Sequence, residues 1–123
     1  MSHIVSIQTQ VRDEVAVKLA CSRLCWPSPT SGTHQMFSGE LRGLAVQVPE
    51  WRYPLVCELS AGKLHYDLYE GRWGDEAQLD RFKQSYAVEK AKLEARRQGR
   101  SVTEQTLDNG SIRLLVQVAG AAS

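Results

Sequence analysis

The sequence predicts an α+β fold: a two-layer sandwich in which an antiparallel or mixed sheet carries two helices on one face, in the order β-α-β-β-β-α-β-β. Three observations predict it. Residues Trp73–Gly99 hold one long amphipathic helical pattern. Several shorter segments alternate apolar and polar residues with the period of a half-buried strand. Asn109-Gly110, a strong two-residue hairpin signal, joins the last two of them.

Taken in order, His3, Val5, Ile7, Thr9 and Val11 alternate with Ile4, Ser6, Gln8 and Gln10 and predict a first strand. Asp13 is placed to cap a short helix whose apolar face is Val17, Ala20, Cys21 and Leu24, flanked by Val15 and Leu19. Pro27 and Pro29 forbid its continuation, and Trp26–His34 reads as a Pro/Ser/Gly-rich loop. Leu44, Val46 and Val48 alternate within a strand over Glu40–Val48 that Pro49 stops. Leu55, Cys57 and Leu59 alternate next, and Leu64, Tyr66 and Leu68 after them. The turn Ser60-Ala61-Gly62-Lys63 between makes these runs a hairpin, with Gly62 supplying a positive φ.

In the major helix Asp75 is the expected cap, with Gln78 reaching back as a capping-box partner. Leu79, Phe82, Tyr86 and Leu93 form the buried stripe, with Ala87 and the methylenes of Lys90 at its edge. Gly99 stands where a left-handed C′ residue belongs, and Arg96 and Arg97 face the negative end of the helix dipole. Beyond it, Asn109-Gly110 as a two-residue turn pairs Leu107 with Ile112. That register gives the last strand an apolar face of Ile112, Leu114, Val116 and Val118 and leaves Ser101–Leu107 as an edge strand. The tail Ala119–Ser123 is expected to fray.

A chain of 123 residues is most simply one domain and is long enough to bury its own core. A formal charge of +1 gives no global attraction to nucleic acid or anionic lipid, so any electrostatic role must be local. No apolar run approaches the ~18–20 residues that span a bilayer, and the first residues lack a leader pattern, so no membrane association is expected. Three cysteines form no framework, which fits a reducing compartment, the cytosol or an equivalent stroma.

Three stretches carry a resemblance: MSHIVSIQTQVRD, VQVPEWRYPLV, and YEGRWGDEAQLDRFKQSYAVEKAKLEARRQGRSVTEQTLDNGSIRL. They resemble the hypothetical chloroplast reading-frame family of cyanobacteria and some plastids, a domain of unknown function. The segment Cys25–Ser38 departs from that pattern. The resemblance implies a soluble protein of photosynthetic lineages and brings no activity, cofactor or catalytic residue with it.

The residues themselves offer three constellations. Trp51, Arg52 and Tyr53, with Tyr69, Arg72 and Trp73, concentrate the residue types favoured at interface hot spots. Gly71 and Gly74 bracket Arg72-Trp73 at the entrance of the long helix. The structural alternative has Trp51 and Trp73 plugging the ends of the sheet, their indole N–H groups on backbone acceptors. Second, Lys90, Lys92, Arg96, Arg97 and Arg100 stand against Glu94 alone, a patch that could dock RNA phosphates or serve as a solvated helix face. Third, Cys21 and Cys25 are i, i+4 on the first helix and are weak metal or redox candidates, with Cys57, His34 or His3 as further ligands. Core packing explains Cys21 as well.

Enzymatic readings are poor. His3, His34 and His65 fall on separate elements, no nucleophile motif or phosphate-binding glycine loop is present, and Asp67 and Glu70 fall on opposite faces of a strand. The expectation is a small non-catalytic protein-binding or assembly module without a cofactor, with an unidentified protein partner and homo-oligomerisation left open. RNA binding and metal or redox chemistry are the alternatives.

Overall fold

The α+β class is what the chain adopts. The computed structural model describes residues 4–117; His3, Val118 and the tail Ala119–Ser123 lie outside the described residues. The elements are β1 (Val5–Gln8), α1 (Glu14–Arg23), β2 (Thr30–Met36), β3 (Gly39–Val46), β4 (Leu55–Glu58), β5 (Lys63–Tyr66), α2 (Ala77–Arg97), β6 (Ser101–Thr106) and β7 (Ile112–Gln117). They belong to two compact units, Met1–Tyr86 and Ala87–Ser123, with the boundary inside α2. Among the described residues no helix is long and apolar enough to cross a membrane.

The first unit holds a five-stranded antiparallel sheet in the order β1-β5-β4-β3-β2. Its register places Ile7, Leu64, Cys57 and Leu44 in one row across four strands, with Leu55 and Val46 in another. That face meets the helices. Val17, Ala20 and Cys21 of α1 and Phe82 of α2 have no exposed surface, and Leu79 and Tyr86 have almost none. Each large side chain so buried contributes roughly 1.5–3 kcal/mol before ordering costs. The Ser85 hydroxyl donates to the Ala20 carbonyl at 3.1 Å, holding the two helices side by side. The Tyr86 hydroxyl accepts from the N–H groups of Arg12 and Asp13 and donates to the Gln10 carbonyl, which fixes the entry into α1.

Both ends of α1 follow local rules. The Asp13 carboxylate accepts from the N–H groups of Val15 and Ala16. At the other end the Trp26 N–H reaches the Cys21 carbonyl and the Cys25 N–H the Ser22 carbonyl, a Schellman closure with Cys25 left-handed at φ 59°. Helix α2 ends in the same way, with Gly99 in that place. At its start Asp75 caps the Ala77 N–H as expected, whereas the Gln78 side chain accepts from Arg81 instead of reaching back.

Four expectations are corrected. The predicted loop Trp26–His34 gives way to strand β2 from Thr30, which pairs residue for residue with β3 and adds one strand to the predicted order. An edge strand makes one ladder and keeps most side chains in water, so TSGTHQM needs no apolar alternation. The last two strands form a separate two-stranded sheet. Within it Ile112 faces Thr106, not Leu107, because Gly110, left-handed at φ 85°, closes a loop one residue longer, with the Leu107 N–H on the Ser111 carbonyl. That slip turns every β6 side chain over: Val102, not Thr103, lies beside the Ile112, Leu114 and Val116 face, and Val116 is itself exposed. In α2, Ala87 is exposed while Ser85, Val88 and Glu89 are buried, since Ala87 lies about 100° round the helix from Tyr86.

Two substitutions test these local rules in opposite directions. Cys25→Gly relieves a left-handed non-glycine residue and is expected to raise stability by about 0.5–1 kcal/mol, net of the extra chain entropy. Gly62 has φ 69°, and an added Cβ would lie 2.6 Å from the Thr9 carbonyl oxygen. Gly62→Ala is therefore expected to lower stability by about 2 kcal/mol. Urea denaturation of both variants checks the pair; equal midpoints would contradict the assignment.

Candidate functional site

The site is built on the turn between β5 and α2. The Asp67 Oδ1 accepts the Tyr69 N–H at 3.1 Å, and the Leu68 carbonyl accepts from Gly71 and from Trp73 at 3.0 and 2.9 Å. These bonds hold three consecutive residues left-handed, Tyr69, Glu70 and Gly71, at φ 47°, 55° and 91°. For the two that are not glycine this costs roughly 1 kcal/mol each, which the surrounding hydrogen bonds offset. A second loop docks here, since the Arg52 N–H donates to the Trp73 carbonyl at 2.8 Å. Gly74 permits that approach, because a Cβ there would collide with the Trp51 ring.

The result is a cluster centred on Trp73. Its ring stacks on Tyr69 at 4.8 Å, meets Tyr53 edge-on at 5.3 Å and Phe37 at 5.2 Å, and lies under the Arg52 guanidinium at 5.3 Å. Arg72 covers the Tyr69 ring at 5.0 Å. Aromatic pairs of this kind contribute about 0.5–1.5 kcal/mol beyond area, and exposed cation–π pairs about 0.5–1. Five of the six residues singled out in the sequence thus come together: Arg52, Tyr53, Tyr69, Arg72 and Trp73. Trp51 does not join them. It is buried against Tyr66 with its indole N–H on the Asp75 carbonyl at 3.0 Å, the plugging role. Phe37, at the tip between β2 and β3 and 60% exposed, is the member that sequence reasoning missed. Its signal is an aromatic before Ser38-Gly39, masked because the polar edge strand leading to it carries no apolar period.

Beside the cluster lies a cavity of about 510 Å³, walled by Tyr66, Asp67, Leu68, Tyr69, Glu70 and Glu76. Asp67 is 2% exposed, and its Oδ2 has no hydrogen-bond partner. Burial, and then the nearby charges of Glu76 and Asp80, push the Tyr66 hydroxyl above the ordinary tyrosine range.

The other constellations are rearranged. The basic patch faces more than Glu94: Lys90 and Arg97 bind Glu94 at 2.8 and 2.7 Å, and Lys92 lies 3.2 Å from Glu104 and 3.9 Å from Glu89. Lys90 and Arg97 hold the Glu94 carboxyl below the usual range. Arg96 and Arg100 are exposed. The pairing of Cys21 with Cys25 on one helix face is corrected: α1 ends at Arg23, Cys21 is buried and Cys25 is exposed beyond the cap. No group of three or more His, Cys, Asp or Glu suited to a metal ion occurs among the described residues. Strand pairing also brings Ser6 to His65, with Oγ and Nδ1 2.7 Å apart and Glu58 3.7 Å from the other ring nitrogen. Ser6 and His65 are direct cross-strand partners, so register accounts for their contact, and none of the three residues lines the cavity.

Thiol reactivity follows from burial. Desolvation pushes Cys21 up to about 11, and Cys57 up to about 12 with Cys21 adding to the effect. Thiolate is thus suppressed at both below those values, whereas Cys25 is exposed. Iodoacetamide at pH 8 is expected to label Cys25 in the native protein and the other two only after unfolding; mass-mapped labelling of Cys21 in native protein would refute this.

In comparison with known proteins, no family model, curated protein or solved structure matches this chain.

Proposed function

We propose that this protein is a non-catalytic protein-binding or assembly module of photosynthetic lineages, working in the cytoplasm or a plastid stroma through the surface around Trp73. The observation that carries this reading is the convergence of Phe37, Tyr53, Tyr69 and Trp73 with two stacked guanidiniums on the first unit. Rings already locked against one another lose little freedom on binding. A guanidinium stacked on a ring keeps its in-plane N–H donors for a carboxylate. The partner that fits is a protein surface offering acidic groups to Arg52 and Arg72 and an apolar side chain to Phe37 and Trp73. The family resemblance supports the lineage, and three cysteines without a framework support a reducing compartment.

RNA binding through Lys90–Arg100 is the less favoured reading, because Lys90, Lys92 and Arg97 are ion-paired with glutamates. A second copy of the chain on the Trp73 surface is the homo-oligomeric form of the leading proposal.

The test is affinity capture with mass-spectrometric identification, comparing wild type with Arg72→Glu and Trp73→Ala. Loss of a hot-spot residue is expected to reduce recovery of the specific partner at least tenfold, with an unchanged circular dichroism spectrum. Folded variants that recover the same partners at the same level would remove this surface as the contact. An RNA complex that weakens steeply with salt and survives both substitutions would favour the helix-end reading.

A further inference from the structure

We propose that β7 is the contact strand of a symmetric dimer of this protein, pairing antiparallel along its open edge with β7 of a second copy about a two-fold axis at Leu114. This goes beyond the protein-binding surface and does not rest on it, since Trp73 and its neighbours belong to the other compact unit.

The first observation is an open edge. Among the described residues β7 pairs with β6 alone, and no residue of either strand is buried. A sheet of two strands is marginal in water, and an unpaired edge is a template for another strand. The Leu107 N–H on the Ser111 carbonyl sets which groups face out. Bonded and non-bonded pairs alternate along an antiparallel ladder, so Gln105–Arg113 and Thr103–Leu115 are bonded pairs. Thr106–Ile112, Glu104–Leu114 and Val102–Val116 are the non-bonded ones. Ile112, Leu114 and Val116 therefore turn their N–H and C=O groups away from β6.

The second observation is that these residues are self-complementary. With Leu114 opposite itself, Ile112 faces Val116 of the second copy and Val116 faces its Ile112, and each pair exchanges both of its hydrogen bonds. The same register sets the apolar side chains of both copies on one face and covers Val116, which is 46% exposed. A slip of one residue would set outward groups against groups that β6 already uses. The third observation is charge. β7 carries one charged residue, Arg113, which this register places opposite Leu115 and not opposite the other Arg113. Leu115, 51% exposed, gains the methylene stem of that arginine. The β6 edge differs: its outward residues are Val102, Glu104 and Thr106, and the equivalent register would set Glu104 against Glu104. Pairing β6 of one copy with β7 of the next is heterologous and builds an open chain of copies. The β7–β7 pairing is closed and carries no charge at its centre. One short strand per copy is a small contact, so the dimer is expected to be weak.

Sedimentation velocity from micromolar to millimolar concentration reads the association, and the wild type is expected to pass from monomer to dimer without larger species. Val116→Pro removes an outward N–H that β6 does not use, so it spares the bonds of the hairpin and is expected to weaken the dimer at least tenfold. Thr106→Pro does the same to the β6 edge and is expected to leave the dimer unchanged, as is Trp73→Ala. A mixture of isotope-labelled and unlabelled wild type reads the register by filtered NMR. An Hα–Hα contact is expected between Arg113 of one copy and Leu115 of the other, the close non-bonded pair of this ladder. That contact needs no substitution and carries the test if a proline variant fails to fold. A monomer at every concentration would overturn the proposal and leave the edge to a partner of other sequence. Polymers that grow with concentration would overturn it in favour of β6–β7 pairing. So would a dimer that lacks the Arg113–Leu115 contact, that folded Val116→Pro leaves intact, or that Thr106→Pro or Trp73→Ala dissolves.

Discussion

The hydrogen bond from the Tyr69 N–H to the Asp67 carboxylate underlies the aromatic cluster around Trp73. It starts a turn in which two non-glycine residues accept left-handed backbone, and the Leu68 carbonyl then takes both the Gly71 and the Trp73 N–H groups. A relaxed connection would leave Trp73 free to collapse onto the sheet. This one sets it where Tyr69, Tyr53, Phe37 and Arg52 all reach it. The same carboxylate forms the wall of the adjoining cavity. One side chain thus fixes the turn through one oxygen and keeps the other buried without a hydrogen-bond partner.

The scaffold beneath is rigid for ordinary reasons. Rows of Ile7, Leu64, Cys57 and Leu44 give the sheet a continuous apolar face, and Val17, Cys21 and Phe82 close over it. The stack of Trp26 on Phe82 and the Ser85 bond to α1 tie the helices to each other. A strained turn survives on such a base because both of its ends are anchored: Tyr66 within the sheet and Ala77 in a capped helix.

Much of the candidate site was legible because Trp, Tyr and Arg crowd into two short stretches, and residues of that type stack when their loops meet. Phe37 was not legible. It depends on β2, an edge strand whose polar sequence carries no period, so the hairpin that delivers Phe37 to Trp73 left no trace in the alternation. Trp51 is the converse case. Its neighbours in sequence join the cluster, but Gly74 opens a slot for its ring and the Asp75 carbonyl captures its N–H, so it serves packing. Cys21 and Cys25 part for an equally local reason, the helix closing between them.

Local rules written along the chain account for the capped α1, the long α2 with its glycine closure, the β4–β5 hairpin and the α+β class. Capping, helical period and turn chemistry act over a few residues, so they are written in order along the chain. Which loops meet, the Thr106–Ile112 register and the orphaned Asp67 oxygen emerge only in the folded chain. Those depend on contacts between residues far apart in sequence, or on a single backbone φ that shifts a whole strand. A string of residues states neither until the chain has closed on itself.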